Sequence, residues 1–255
     1  MNTPHTDSPS RPVAIVTGGS RNIGRAIAHA LGAAGMAVVI VARSDRDAAE
    51  QVVHELEALG TPATSVLADV SREASADLIV AHALERFGRL DVLVNNAAIR
   101  REKPVEAMSL AEWREITGIC LDGAFLLCRA AIPHLAESPA GAIINIGGLT
   151  AYTGAPNRAH VVAAKAGLDG LTKALAVELA PRGITVNLVS PGRIGTDRSH
   201  ASAEKNPAHH ARNQTLLGRE GTAEEVAAMV AYLAGPAARF LTGQTVHVNG
   251  GAFLP

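Results

Sequence analysis

The chain has 255 residues and only two cysteines, Cys120 and Cys128, too few for a disulfide framework. They stand eight apart in a helical pattern, and both read as buried core thiols. The formal charge is −1 and no run of Lys or Arg occurs, which argues against a nucleic-acid surface. No uninterrupted apolar run approaches the roughly 18 residues that a membrane span needs. The first eleven residues, MNTPHTDSPSR, are polar and Pro-rich without an apolar stretch, so they read as a disordered tail rather than a secretion signal, and a cytoplasmic protein is expected.

What is present is apolar residues at 47%, 24 glycines, and short apolar runs that alternate with amphipathic stretches. That alternation predicts one α/β domain over 12–255, a Rossmann-like doubly wound parallel sheet of about seven strands with helices on both faces. Strands are expected near 13–17, 37–42, 64–68, 90–95, 141–147, 185–190 and 245–248. Helices are expected near 23–34, 46–59, 72–87, 110–136, 159–180 and 223–234. The segment 193–221 is the one long irregular stretch, rich in His, Asn and charge, and reads either as a lid over a cleft or as a plain surface excursion.

The first strand runs through Thr17-Gly18-Gly19-Ser20-Arg21-Asn22-Ile23-Gly24 into an Ala-rich helical pattern. Gly18 and Gly24 let backbone approach a pyrophosphate, and the helix N-terminus beyond offers unpaired N–H groups and partial positive charge. Asn22 stands where a middle glycine is commonly found. At the end of the second strand, Ala42-Arg43-Ser44 replaces the carboxylate that would accept from ribose hydroxyls, while Arg43 and Arg21 suit a 2′-phosphate. NADP(H) is therefore favoured over NAD(H).

From residue 12 to 251 the chain resembles the short-chain dehydrogenase/reductase family. The motifs are Thr17-Gly-x-x-x-x-Ile23-Gly24, Asp69-Val70, Asn95-Asn96-Ala97, Asn145-Ile146, Lys165-Ala166-Gly167, Ser190-Pro191-Gly192 with Thr196, and Thr242-Gly243-Gln244 with Asn249-Gly250-Gly251. The resemblance implies an NADP(H)-binding oxidoreductase of a small carbonyl or alcohol. It implies a cofactor site of Gly18, Ser20, Arg21, Asn22, Ile23, Gly24, Arg43, Ser44, Asp69, Val70, Asn95, Ala97, Lys165, Pro191, Gly192, Ile194 and Thr196. In it Asp69 meets the adenine amino group, Asn95 and Ala97 line the adenosine ribose and strand junction, and Lys165 holds the nicotinamide ribose. Pro191, Ile194 and Thr196 flank the nicotinamide.

Within that resemblance three catalytic positions differ. Counting back from Lys165, the family's proton-donating tyrosine is Val161, its serine is Gly148, and its asparagine is Cys120. Valine has no proton to donate and glycine no side chain to hold a carbonyl. The substrate pocket expected from Gly148, Thr150, Tyr152 and Val161 is wide and apolar. Tyr152 and Thr150 follow the fifth strand and either hydroxyl can be placed at the cleft or in packing. His160 adjoins Val161 but is turned about 100° from the face of Lys165, which suits a packed histidine. His200, His209 and His210 lack the Cys or acidic neighbours of a metal site, so no metal is expected. Two readings stand: an enzyme whose proton comes from solvent, substrate or Lys165, and a dinucleotide-holding protein without catalysis. A homo-oligomer, dimer or tetramer, is expected through the helices at 110–136 and 159–180, with residues 252–255 packed on a neighbour.

Overall fold

The computed structural model describes residues 11–196 and 214–255. The chain runs β1 (Val13–Thr17), α1 (Asn22–Ala33), β2 (Ala37–Ala42), α2 (Arg46–Ala58), β3 (Ala63–Leu67), α3 (Glu73–Phe87) and β4 (Val92–Asn95). It continues through α4 (Leu110–Thr117), α5 (Gly123–Leu135), β5 (Ala142–Ile146), α6 (Thr150–Thr153) and α7 (Ala159–Leu179). The last elements are β6 (Thr185–Pro191), α8 (Ala223–Ala234) and β7 (Thr245–Val248). All seven strands form one parallel sheet in the order β3-β2-β1-β4-β5-β6-β7.

The central strands are nearly unbroken Val, Ile and Ala, as expected of strands covered on both faces. Ala14, Val16, Val38, Ile40, Val94 and Ile144 point to one side, where Ile27 and Leu31 of α1, Val52 and Leu56 of α2 and Val230 of α8 cover them. Ile15, Val39, Leu93 and Ile143 point to the other side, against Ile79 of α3, Leu127 of α5 and Leu179 of α7. The strand order reverses between β1 and β4, so their C-terminal ends, Thr17 and Asn95, open the crevice where such sheets bind ligands.

Three features differ from the sequence expectations. The helix expected over 110–136 is split by a π-helical turn at Gly118–Asp122, which carries Cys120 toward the cleft side of α7. A short helix, α6, follows β5 where only a loop was expected. The continuous helical run Leu110–Leu135 is, by length and composition, apolar enough to cross a membrane, contrary to the expectation of no such segment. Its apolar side covers the sheet and α3 through Leu127, Cys128, Ala131 and Leu135.

Candidate active site and nucleotide cradle

Thr17, the last residue of β1, locks the Gly-rich turn onto β4. Its Oγ1 donates to the Val94 carbonyl at 3.2 Å and accepts from the Asn96 and Ala97 amides, each at 2.9 Å. Asn96 completes the clasp, its Nδ2 donating to the carbonyls of Thr17 at 2.8 Å and Gly18 at 3.1 Å. Gly18 has φ +62° and a Cβ there would stand 3.1 Å from Ala97 Cα. A Cβ on Gly24 would drive into the Gly18 carbonyl. Asn22, in place of the middle glycine, takes φ 47°, the left-handed region that Asn tolerates best among residues with side chains. The turn thus brings the start of α1 against bare backbone, and these residues fit a dinucleotide pyrophosphate.

At the adenosine end, Arg43 and Ser44 are exposed beyond β2. Asp69 folds its carboxylate into its own turn, accepting from the Ser71 amide at 3.0 Å and hydroxyl at 2.7 Å. Burial alone would raise its pKa, but the Ser71 bonds and the charges of Arg43 and Arg72 outweigh it and hold the carboxyl below its usual value. Arg21 does not project freely from the Gly-rich turn as expected: it forms an ion pair with Asp45. Sequence reading missed Asp45, three residues past the strand, although an Asp ahead of a helical pattern is an N-cap signal. Its Oδ1 accepts from the Ala48 amide at 3.0 Å and caps α2.

Asn95 turns inward to the strand junction: its Nδ2 donates to Asn145 Oδ1 at 2.9 Å and to Cys128 Sγ at 3.4 Å. It thereby ties the strand junction together, while its Oδ1 is buried without a hydrogen-bond partner and the residue lines the crevice beside Thr17. Ala97, half-buried, and Val70, buried against Gly123 beside the π turn, do line the crevice wall. At the far end Pro191 pairs with Val248, Gly192 donates to the Val248 carbonyl at 2.9 Å, and Ile194 bridges Gly221. Thr196 is the last described residue there; most of the segment expected as a lid, with His200, His209 and His210, lies outside the described residues.

Lys165 is buried on α7 and its Nζ donates to the Ile146 carbonyl at 2.5 Å, at the end of β5. Burial lowers its pKa; the Arg100 charge adds to that, and Cys120 acts in the opposite sense. One turn earlier, Val161 packs with Ile116, Cys120 and Ala164, an apolar cluster bordered by Ile99 and Leu121. Cys120 and Val161 thus share one cluster, and Cys120 lies near enough to Lys165 to influence it electrostatically. Gly148 faces open space, whereas a Cβ on Gly147 would meet Leu188 Cδ2 at 2.5 Å.

Of the expected pocket residues, Thr150 opens α6 but Tyr152 is a correction. Its hydroxyl lies 2.9 Å from Asp169 Oδ1 and its ring stacks on Phe253 and meets His247 edge-on, so it belongs to a cluster with β7 and the C-terminus. The C-terminal segment is tied to its own chain by that stacking and by Asn249 Nδ2 donating to the Phe253 carbonyl at 3.0 Å. His160 is buried, as its helix phase implied, with Nδ1 accepting from the Val161 amide at 3.0 Å.

The family described as enoyl-(acyl carrier protein) reductase matches residues 18–252. The chain belongs to this family of short-chain dehydrogenase/reductases and is an oxidoreductase by descent. It is 39% identical over 241 residues to the 3-oxoacyl-[acyl-carrier-protein] reductase FabG of Staphylococcus aureus, covering 94% of this chain and 98% of that protein. With the 3-oxoacyl-[acyl-carrier-protein] reductase of a Synechocystis species it shares 42% over 243 residues, 95% and 97% of the two chains. The crystal structure of a dehydrogenase/reductase from Sinorhizobium meliloti superposes with TM-score 0.88 at 37% identity, covering 95% of each chain. Acetoin dehydrogenase YohF from Salmonella typhimurium gives 0.85 at 34% identity, over 94% of this chain and 95% of that one.

Proposed function

We propose that the chain is a cytoplasmic NADP(H)-dependent oxidoreductase of a small carbonyl or alcohol compound, atypical in that its proton does not come from tyrosine. The observation that carries the reading is Lys165: it is buried at the end of β5, on the same crevice as the Gly18–Gly24 cradle, with Val161 in place of an acid one turn away. A bound nicotinamide would supply or accept hydride. Lys165 has three donors, one directed at the Ile146 carbonyl, which leaves two for a ribose hydroxyl and for the oxygen of the substrate. Its burial favours loss of a proton from Nζ, so Lys165, a water or the substrate itself can meet the developing alkoxide. Ile116, Val161 and Ala164 exclude water from one wall and suit an apolar substrate.

The names of the similar reductases make a 3-oxoacyl thioester the first compound to offer. Consumption of NADPH across a panel containing that thioester, simple ketones and acetoin tests the proposal, and no turnover of any of them at high enzyme concentration would overturn it. Arg43 supports the cofactor assignment, being an exposed cation beside Asp69 at the adenosine end. NADPH should bind at least several-fold more tightly than NADH, with Arg43→Ala narrowing the gap and added salt weakening NADPH more. Equal affinities in a fluorescence titration would overturn the preference.

A further inference from the structure

Asp45 reaches across the adenosine end of the crevice. One carboxylate oxygen caps α2 through the Ala48 amide, and the other holds Arg21 of the Gly-rich turn. The β1–α1 and β2–α2 turns are thereby joined by one side chain, at the mouth where β1 and β2 pair in register through Thr17 and Val41. We propose that Asp45 is an internal competitor for the 2′-phosphate: it pairs with Arg21 and so limits the preference for NADP(H) over NAD(H). This rests on the NADP(H) reading above.

The competition has a physical basis in charge and exposure. Both side chains are 41% exposed, so their attraction is screened and the pair is readily exchanged. A 2′-phosphate carries more negative charge than a carboxylate and three acceptor oxygens, and is the stronger partner for a guanidinium. Binding it must nonetheless displace Asp45 from Arg21 or place phosphate beside a charged carboxylate. NADH has only a hydroxyl there; it can donate to Asp45 and leaves the ion pair in place. Asp45 thus penalises one dinucleotide and spares the other, while Arg43, not engaged in that pair, supplies the remaining attraction.

The experiment is a set of NADPH and NADH fluorescence titrations on the full chain, its D45N and R21Q variants, and the double variant. Asn still caps a helix but carries no charge, so D45N separates the electrostatic role from the structural one; D45S, which also caps, replaces it if thermal melting shows D45N to be unfolded. D45N should tighten NADPH by about two- to tenfold, the range open to a screened ion pair, and leave NADH within about twofold. In the R21Q background the same change should yield a clearly smaller gain. Unchanged NADPH affinity in D45N overturns the proposal, and so does an equal gain with and without Arg21, since that is a general charge effect. Equal wild-type affinities for both dinucleotides, together with a D45N gain that needs Arg21, would support Asp45 as competitor while overturning the NADP(H) preference itself.

Discussion

Val161 and Lys165 stand one turn apart on α7, and the first belongs to the same buried apolar cluster as Cys120 of the π turn. On the reading proposed above, Lys165 is the retained cation, and the position one turn before it sits among aliphatic side chains and a thiol. The consequence for chemistry depends on which neighbouring hydroxyls reach the cleft, and the fold removes one of them.

Tyr152 is committed elsewhere. Burial raises its pKa to about 12, with Asp169 adding to the rise and the Thr245 hydrogen bond opposing it, so the phenol stays protonated across the working range. Tyr152→Phe should leave NADPH affinity and turnover within about twofold and lower stability by about 1 kcal/mol, the usual net value of one hydrogen bond. Urea unfolding beside steady-state kinetics checks both; a large loss of turnover at unchanged stability would return Tyr152 to the cleft.

Asp91 governs stability from the opposite end of the strands, just ahead of the central strand β4. It is buried and accepts from Arg89 at 2.6 and 2.8 Å, Ser138 at 2.5 Å and the Val13 amide at 2.8 Å. Burial alone would raise its pKa, but these bonds prevail and hold it below the ordinary value. A carboxyl depressed in the folded state contributes stability that is complete above its unfolded pKa, about 3.9, and is lost as pH falls through the folded value. Asp91→Asn should cost about 2–3 kcal/mol at pH 7, and the gap from the unsubstituted protein should close in urea melts taken progressively below pH 4.

Assembly is the third expectation. Phe125 on α5 and Val177 on α7 are exposed apolar side chains on the two helices expected to form a two-fold contact, 47% and 80% accessible respectively. Sedimentation at micromolar concentration should give a dimer or tetramer, and Phe125→Glu with Val177→Glu should shift it toward monomer. A monomeric unsubstituted chain would refute the expectation.

Much of this was legible along the chain. The runs forming β1, β2 and β7 are apolar or bounded by Gly and polar turns, so their limits match the structure, and Cys120 and Val161, singled out by spacing from Lys165, share one buried cluster. Three things were not legible because they depend on distant partners. The π turn adds a residue to a helix whose apolar pattern continues through it. Tyr152 was judged by its nearness to β5 in sequence, while its direction is decided by Asp169 on α7 and Thr245 on β7. Arg21 looked available until the α2 cap placed Asp45 against it.

The last prediction concerns the acid. Gly148 faces open space, so a Ser side chain fits there without displacing anything within 4 Å. Val161 is tighter: a Tyr must grow out of the cluster of Ile116, Cys120 and Ala164 toward the cleft, at about 1–3 kcal/mol of stability if the cluster does not yield. Gly148→Ser with Val161→Tyr should therefore raise NADPH-dependent ketone reduction by about 10²- to 10⁴-fold, the usual worth of a placed general acid, and by more than the two single changes combined. Cys120→Asn added to the pair should increase it further or leave it unchanged. Lys165→Ala should weaken NADPH binding in both backgrounds, because the ribose role proposed for it does not depend on the acid. Steady-state kcat and KM with the best compound of the panel decide the matter. If the unsubstituted protein already turns over at about 1 to 10³ per second, a native donor is present. Thr150 then comes first for substitution, since Tyr152 is held by Asp169 and His160 is buried with its Nδ1 accepting from the Val161 amide, its pKa lowered by that burial.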